Sequence, residues 1–230
     1  VDHSEEYLNK ATRYFPVIGW MAGAVTSITL YAYFWILPLS LAVIISPIAG
    51  IFLTGAFHED GFADVCDGFG GGWTKQKILD IMKDSRVGAY GVIGIISVLS
   101  LKIFALYEIA RLDIILCCKV LLLAHTLSRF AAIILRKNME YVRENEDSKA
   151  KPIAKQTSFK DYLLAFLFSL VPLVLFKTAM ILLLFVPVIL IVVYLRYYFK
   201  KWIGGYTGDC LGAAQQLTEV ILYISFLILW

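Results

Sequence analysis

Charged residues are scarce in this chain. Asp, Glu, Lys and Arg make up 17% of its 230 residues, and hydrophobic residues make up 60%. Soluble domains contain about a quarter charged residues and about half apolar residues, so this composition argues against a soluble globular enzyme. Because a helix of roughly 20 apolar residues can cross a bilayer, the chain is better counted in membrane spans than in soluble domains.

The chain also lacks the cysteine patterns and the charge excess that mark two other classes of protein. Its four cysteines include no CxxC pair, and Cys117 and Cys118 lie inside an apolar run. Neither a zinc site nor a disulfide framework is therefore indicated. The net charge of +3 is too small for a protein that wraps a polyanion, so we expect no nucleic-acid partner.

Seven apolar runs alternate with polar segments along the sequence. The runs cover residues 17–37, 38–57, 88–107, 112–135, 162–176, 178–196 and 217–230, and the polar segments cover 1–13, 58–86, 136–161 and 197–216. The pattern predicts an all-α, polytopic integral membrane bundle of about seven transmembrane helices, forming one domain over residues 1–230.

If consecutive spans form hairpins, the four polar segments share one side of the lipid bilayer. These segments carry most of the 21 basic residues. By the positive-inside rule that side faces the cytoplasm. We therefore expect a multi-pass protein of the cell inner membrane with its active site at the cytoplasmic face.

Four ionisable residues fall inside the predicted spans: Lys102, Lys119, His125 and Arg129. Such residues are costly in hydrocarbon unless they pair, face a cavity or extend to the interface. We expect Lys102 and Lys119 to extend to the membrane surface and His125 to hydrogen-bond between helices. Arg129 lies deep in its helix beside Ser128 and is a candidate ligand for an anion.

Acidic residues are concentrated at the end of the second span. Asp60, Asp64 and Asp67 are spaced i, i+4 and i+7, which places three carboxylates on one face of a helix. Such carboxylates repel one another unless a divalent cation bridges them, and Mg²⁺ favours a few carboxylates, water and substrate phosphate oxygens. The spacing predicts a phosphoryl-transfer metal site. An acidic helix end in solvent, or aspartates acting as helix caps, is the structural alternative.

His58 and Glu59 directly precede these aspartates. His58 is a candidate general base or a neighbour of metal or phosphate, with a hydrogen-bonded structural role as the alternative. Glu59 lies off the aspartate face, and its role stays open.

A second motif lies at the entrance to the third span, where residues 81–91 include Lys83, Asp84, Ser85 and Arg86. The two cations suit phosphate oxygens, and Asp84 could complete a metal shell.

A third motif, residues 204–213, precedes the last predicted span and includes Thr207 and Asp209 in a glycine-rich stretch. We expect a flexible loop there, with Asp209 as a helix cap in the alternative. Glu219 lies within the last helix and needs a polar partner.

These motifs, in this order, resemble those of the cobalamin synthase family. The likeness is carried by His58-Glu-Asp-Gly-Phe-Ala-Asp-Val-Cys-Asp-Gly68, Met82-Lys-Asp-Ser-Arg-Val-Gly-Ala-Tyr-Gly91, Gly205-Tyr-Thr-Gly-Asp-Cys-Leu-Gly-Ala213 and Tyr14-Phe-Pro-Val-Ile-Gly19. It spans nearly the whole chain. The family usually has an apolar segment upstream, so we expect further chain before Val1.

The resemblance implies a membrane transferase that joins adenosylcobinamide-GDP to α-ribazole, or to its 5′-phosphate, and releases GMP with the help of Mg²⁺. The residues assigned to catalysis are His58, Asp60, Asp64 and Asp67. The residues assigned to the metal are Asp60, Asp64, Asp67 and Asp84. The residues assigned to the substrates are Lys83, Asp84, Ser85, Arg86, Arg129, Thr207 and Asp209. His58 and one of the aspartates are both candidates for the general base.

Two other functions fit part of the pattern. The segment Asp64-Val-Cys-Asp-Gly68 resembles the start of the aspartate motif of CDP-alcohol phosphotransferases, but the Ala-Arg and the further aspartates of that motif do not follow. A cation transporter could also place carboxylates at a helix end, although its coupling acids usually lie near the bilayer midplane. The sequence leaves open the number of metal ions, a homo-oligomeric state and the preferred base of the ribazole.

Overall fold

The computed structural model describes residues 11–143 and 157–230, and this part of the chain is almost entirely helical. Its α-helices are α1 (Phe15–Phe34), α2 (Leu39–Thr54), α3 (Phe57–Gly71), α4 (Lys75–Lys83), α5 (Ala89–Leu112), α6 (Ile114–Arg136), α7 (Phe159–Leu170), α8 (Phe185–Ile203) and α9 (Gly208–Leu229). Short 3-10 helices lie at Thr12–Tyr14, Val171–Leu175 and Ala179–Leu184. The predicted all-α class is confirmed.

Five helical stretches are long and apolar enough to cross a membrane: Thr12–Phe34, Ala89–Leu112, Ile114–Arg136, Ala179–Ile203 and Gly208–Leu229. Helices α2 and α3 would together make a sixth, although they are bent by 92° where they meet. The predicted count of about seven is therefore approximate. The apolar run at 162–176 forms only the 12-residue α7 and a 3-10 helix, and 12 helical residues rise about 18 Å, less than the ~30 Å hydrocarbon core.

The bend between α2 and α3 gives the acidic stretch a helix of its own. Gly55 and Ala56 both have left-handed backbone angles, with φ of 64° and 58°. Such a residue ends a helix, and glycine adopts this conformation without the strain that a Cβ brings. The aspartates therefore lie on a helix at nearly a right angle to α2, not at the end of the second span as the sequence predicts.

Helices α6 and α9 form the centre of the bundle. In their most apolar 18-residue segments, 56% and 67% of the residues are buried. Helix α1 packs closely on α6 through Gly19 and Gly23. A Cβ added at Gly19 would lie 2.5 Å from the carbonyl oxygen of His125. Small residues at this spacing allow helix backbones to approach closely in a membrane, so these two glycines set the α1–α6 distance.

A buried ion pair crosses the core between α5 and α9. The Lys102 Nζ lies 2.7 Å from Glu219 Oε2 and donates to Gln216 Oε1 at 2.5 Å. The prediction that Lys102 extends to the membrane surface is wrong, because Glu219 supplies a counter-charge inside the bundle. His125 Nδ1 lies 3.0 Å from Glu219 Oε1, so the predicted interhelical role of His125 is confirmed.

Helix α9 begins at Gly208, well before the predicted start near 217. The Thr207 hydroxyl caps its first turn by accepting a hydrogen bond from the Cys210 N–H at 3.4 Å. Only residues 204–207 separate α8 from α9. The predicted flexible loop is therefore a short connection, and Asp209 occupies the first turn of a helix that is anchored in the core.

Candidate active site at the end of the bundle

Asp67 is the aspartate of α3 whose partners are fixed by the fold. Its side chain is buried, and its two carboxylate oxygens accept hydrogen bonds from the N–H groups of Gly88 at 2.7 Å and Gly91 at 2.8 Å. Gly88 is the N-cap residue of α5, so Asp67 caps that helix, as in the structural alternative for this residue. A Cβ at Gly91 would overlap the carboxylate, which explains the glycine there.

Asp60 and Asp64 lie on the same helix and are more accessible: Asp60 is exposed and Asp64 is half-buried. The third motif meets them, because α3 and α9 touch backbone to backbone. A Cβ at Gly61 would lie 2.9 Å from the Cα of Asp209. Burial, followed by the charges of Asp209 and Asp60, raises the pKa of Asp64 to about 7. The structure thus brings together two of the predicted aspartates and Asp209 from a distant part of the chain.

Arg143 is a basic residue beside the carboxylate group, by which we mean the side chains of Asp60, Asp64 and Asp209. The sequence analysis did not single it out. Its Nη2 lies 2.8 Å from Asp209 Oδ2 and donates to the Met82 carbonyl oxygen at 2.7 Å. Arg143 is one of many cations in a charged segment, and no spacing relates it to Asp209. Arg143 reaches Asp209 because its segment pairs with residues 204–206. A sequence pattern does not show that pairing.

The second motif lies at the surface. Arg86 binds Asp84 through Nη2 at 2.7 Å and through Nε at 3.1 Å, and these hydrogen bonds lower the pKa of Asp84 to about 2. Lys83 and Ser85 are exposed. The structure therefore engages Asp84 with its own neighbour, and the assignment of Asp84 to a metal stays a prediction.

Within residues 11–143 and 157–230, no group of three His, Cys, Asp or Glu side chains is arranged to hold one metal ion. The donor chemistry nevertheless suits a hard cation. Asp60, Asp64 and Asp209 carry oxygen donors of like charge, and a divalent cation nearby would relieve their repulsion.

His58 and Glu59 start α3 on the side that faces the core. Glu59 Oε1 accepts a hydrogen bond from Gln216 Nε2 at 2.8 Å, and its Oε2 is buried with no hydrogen-bond partner in the described part of the chain. The Gln216 side chain also contacts Lys102. Glu59 therefore links the acidic helix to the buried ion pair.

An apolar groove of about 510 Å³ lies beside His58. Its polar side chains are those of Thr54, His58, Arg129 and Gln215, and most of its wall is apolar, including Phe15, Ile18, Met21, Leu53, Phe57 and Leu211. Arg129 is 4% exposed, and its Nη1 donates to the His125 carbonyl oxygen at 2.9 Å. A predicted substrate residue thus lines a groove next to the first turn of the acidic helix.

Comparison with known proteins gives one consistent result. The family profile described as "CobS: Cobalamin-5-phosphate synthase" matches residues 1–227. The chain is 43% identical to the adenosylcobinamide-GDP ribazoletransferase of Leptospira interrogans serogroup Icterohaemorrhagiae serovar copenhageni, over 99% of this chain and 88% of that relative. It is 42% identical to the protein of the same name from Shewanella frigidimarina, over 96% of this chain and 84% of the relative.

No solved structure was found to match the chain. The family assignment therefore rests on sequence likeness. That likeness extends through all three motifs, including the two segments that contain Asp60, Asp64 and Asp209. The chain belongs to the cobalamin-5-phosphate synthase family.

Proposed function

We propose that this chain is an adenosylcobinamide-GDP ribazoletransferase, which joins adenosylcobinamide-GDP to α-ribazole or its 5′-phosphate and releases GMP. The observation that carries the proposal is the close approach of α3, at Gly61 next to Asp60, to Asp209, which pairs with Arg143. Carboxylates grouped next to a guanidinium suit the binding of a diphosphate through a divalent cation. The activity named for both relatives is the same.

The reaction is a phosphoryl transfer in which one P–O bond replaces another. A hydroxyl oxygen of the ribazole attacks the phosphorus that carries the cobinamide. The bond from that phosphorus to the bridging oxygen breaks, and GMP leaves with the bridging oxygen. The proton of the hydroxyl passes to a base, for which His58 and one of the aspartates are the candidates.

Mg²⁺ is the cofactor that the donor set suits best, since it prefers carboxylate and phosphate oxygens. Asp60 and Asp64, two of the predicted ligands, would hold it together with phosphate oxygens of the substrate, while Asp67 and Asp84 are engaged by the Gly88 and Gly91 amides and by Arg86. When bound, the ion supplies positive charge that neutralises the diphosphate and the leaving GMP. The second motif lies at the surface. Its side chains Lys83, Ser85 and Arg86 bind the nucleotide end of the donor.

We place the ribazole in the apolar groove. Its aromatic base suits the apolar wall, and Arg129, His58 and Gln215 suit its sugar or 5′-phosphate. The groove lies close to the carboxylates, because His58 packs against Gly212, where a Cβ would lie 3.1 Å from the His58 carbonyl oxygen. Gly212 is three residues after Asp209 on α9, about one helical turn.

The site faces the cytoplasm of the inner membrane in this proposal. The basic residues that flank the described helix ends support this orientation. GMP would then be released into the compartment that contains nucleotides.

The test uses purified protein in liposomes with adenosylcobinamide-GDP, with and without α-ribazole and Mg²⁺. We expect GMP to form only when all three are present. GMP formation without ribazole would identify a hydrolase instead, and the absence of GMP with either form of ribazole would overturn the proposal. CDP-diacylglycerol should yield no CMP, which a CDP-alcohol phosphotransferase would release. The liposomes should show no cation flux, which a cation transporter would produce.

A further inference from the structure

Arg143 joins all three motifs of the site. Its guanidinium contacts Asp209 of the third motif and the Met82 carbonyl oxygen of the second, and its charge acts on Asp64 of the first. Its side chain is 29% exposed, and that of Asp209 is 17% exposed. An ion pair at this degree of burial is screened only in part by water, so Arg143 offsets a share of the negative charge of the carboxylates.

The backbone holds Arg143 in this position through a short parallel pairing. The Tyr206 N–H donates to the Glu140 carbonyl oxygen at 2.9 Å, and the Val142 N–H donates to the Tyr206 carbonyl oxygen at 3.0 Å. Gly205 directly precedes Tyr206, and a Cβ there would overlap the Glu140 carbonyl oxygen. Residues 140–142 are thereby fixed to the connection between α8 and α9, directly before Arg143.

One edge of the Arg143 guanidinium is incompletely bonded. Its Nη2 binds Asp209 and Met82, whereas its Nε is buried and has no hydrogen-bond partner among the described residues. An Arg Nε and the neighbouring Nη can bind two oxygens of one phosphate as a fork. A phosphate at this edge would give the Nε its missing acceptor.

We propose that Arg143 is a catalytic residue that changes partners during the reaction. It neutralises Asp209 in the substrate-free protein, and it binds the diphosphate of the donor through the Nε edge. Asp60 and Asp64 would hold a divalent cation, which would supply positive charge to the neighbouring carboxylates. This inference rests on the proposed function, because it assumes a diphosphate donor. It adds a residue, on a segment outside the three motifs, that stabilises the charge that develops on GMP as it leaves.

The test compares Arg143→Gln and Arg143→Lys with Arg111→Gln, an exposed arginine paired with Glu108. Two binding measurements precede any assay: titration of Mn²⁺ without nucleotide, and titration of GDP in the presence of Mg²⁺. We expect Arg143→Gln to bind Mn²⁺ several-fold more tightly, since a competing cation is gone, and to bind GDP roughly 10- to 100-fold more weakly, the range for a lost charge-assisted hydrogen bond.

Arg143→Lys should keep the Mn²⁺ affinity of the unsubstituted protein but bind GDP weakly, because an ammonium cannot form the fork. In turnover, both variants should raise KM for adenosylcobinamide-GDP and lower kcat, with KM for ribazole unchanged. Equal loss of Mn²⁺ and GDP affinity would indicate a merely structural arginine and would overturn the inference. Unchanged GDP affinity would overturn it as well, even if the protein makes GMP as proposed. If no GMP forms with the unsubstituted protein, the proposed function itself fails.

Discussion

At the scale of the residue, the three aspartates of α3 differ in what surrounds them. Asp67 accepts two backbone hydrogen bonds and caps α5, whereas Asp64 faces the like charges of Asp60 and Asp209. The sequence could predict that all three share a helical face, because that follows from spacing alone. It could not predict that one of them serves the fold, since the partners of Asp67 come from the start of a different helix.

This difference predicts opposite effects on stability. Asp64→Asn should lower turnover by about 100-fold or more and raise the melting temperature without Mg²⁺, because a charge is removed from a repulsive group. Asp67→Asn should lower the free energy of unfolding by about 1–3 kcal/mol, because a buried N–H group loses its acceptor. Thermal unfolding in detergent and turnover measure both effects, with Asp80→Asn on the exposed face of α4 as the control. Equal destabilisation by the first two variants would contradict the assignment.

The Lys102–Glu219 pair gives a second prediction at this scale. Lys102→Met leaves the carboxylate of Glu219 buried with one partner fewer and should destabilise the protein by about 3 kcal/mol or more. The double variant Lys102→Met/Glu219→Gln should recover part of that loss, since the carboxylate that Lys102 balanced is then neutral. Unfolding midpoints of the two variants decide this: if the double variant is less stable than Lys102→Met, the pair is not the source of the stability.

At the scale of the element, the structure departs from the sequence prediction mainly where helices begin and end. Apolar runs predicted where helices lie in the bundle, because hydrophobicity determines membrane insertion. The start of α9 at Gly208 was missed, since its first two turns are rich in glycine, alanine and polar residues that pack against α3. The bend at Gly55–Ala56 was missed too, because it depends on backbone angles.

The pairing between residues 140–142 and 204–206 predicts unequal effects of two neighbouring glycine substitutions. Gly205→Ala places a Cβ against the Glu140 carbonyl oxygen and should cost about 1–3 kcal/mol of overpacking. It should also lower turnover, since Arg143 follows this segment. Gly208→Ala is the control for stability, because a Cβ there has open space around it. Gly208 lines the apolar groove, so the control for turnover is Gly71→Ala, where a Cβ would lie at an ordinary distance of 3.4 Å from Ile81 Cδ1. Comparable turnover in Gly205→Ala and Gly71→Ala would show that the pairing does not position the site.

At the scale of the whole molecule, the family and the membrane character could be predicted from composition and motifs. The contacts that assemble the site could not, because Asp209, Arg143 and the aspartates of α3 come together only through tertiary packing. The polar connections 72–74, 137–143 and 204–207 lie at the end of the bundle that carries the site. The turn between α1 and α2 lies at the other end, since each of these helices runs the length of the hairpin.

This arrangement predicts the sidedness of the loops. Trp73→Cys, Asn138→Cys and Lys201→Cys, each in a background without the native cysteines, should react with an impermeant thiol reagent from the cytoplasmic side. Trp35→Cys, whose parent side chain is 71% exposed in the α1–α2 turn, should react from the opposite side. Labelling of any of the first three from the periplasm would contradict the proposed orientation.

The central claim is that Asp60, Asp64 and Asp209 form the site at which the cobinamide phosphate is transferred to ribazole. The most direct measurement is the ratio of GMP to joined cobamide. Unsubstituted protein in liposomes should form one GMP for each joined cobamide, Asp80→Asn should do the same, and Asp64→Asn should form neither. GMP in excess of the joined product, or full joining by Asp64→Asn, would contradict the account.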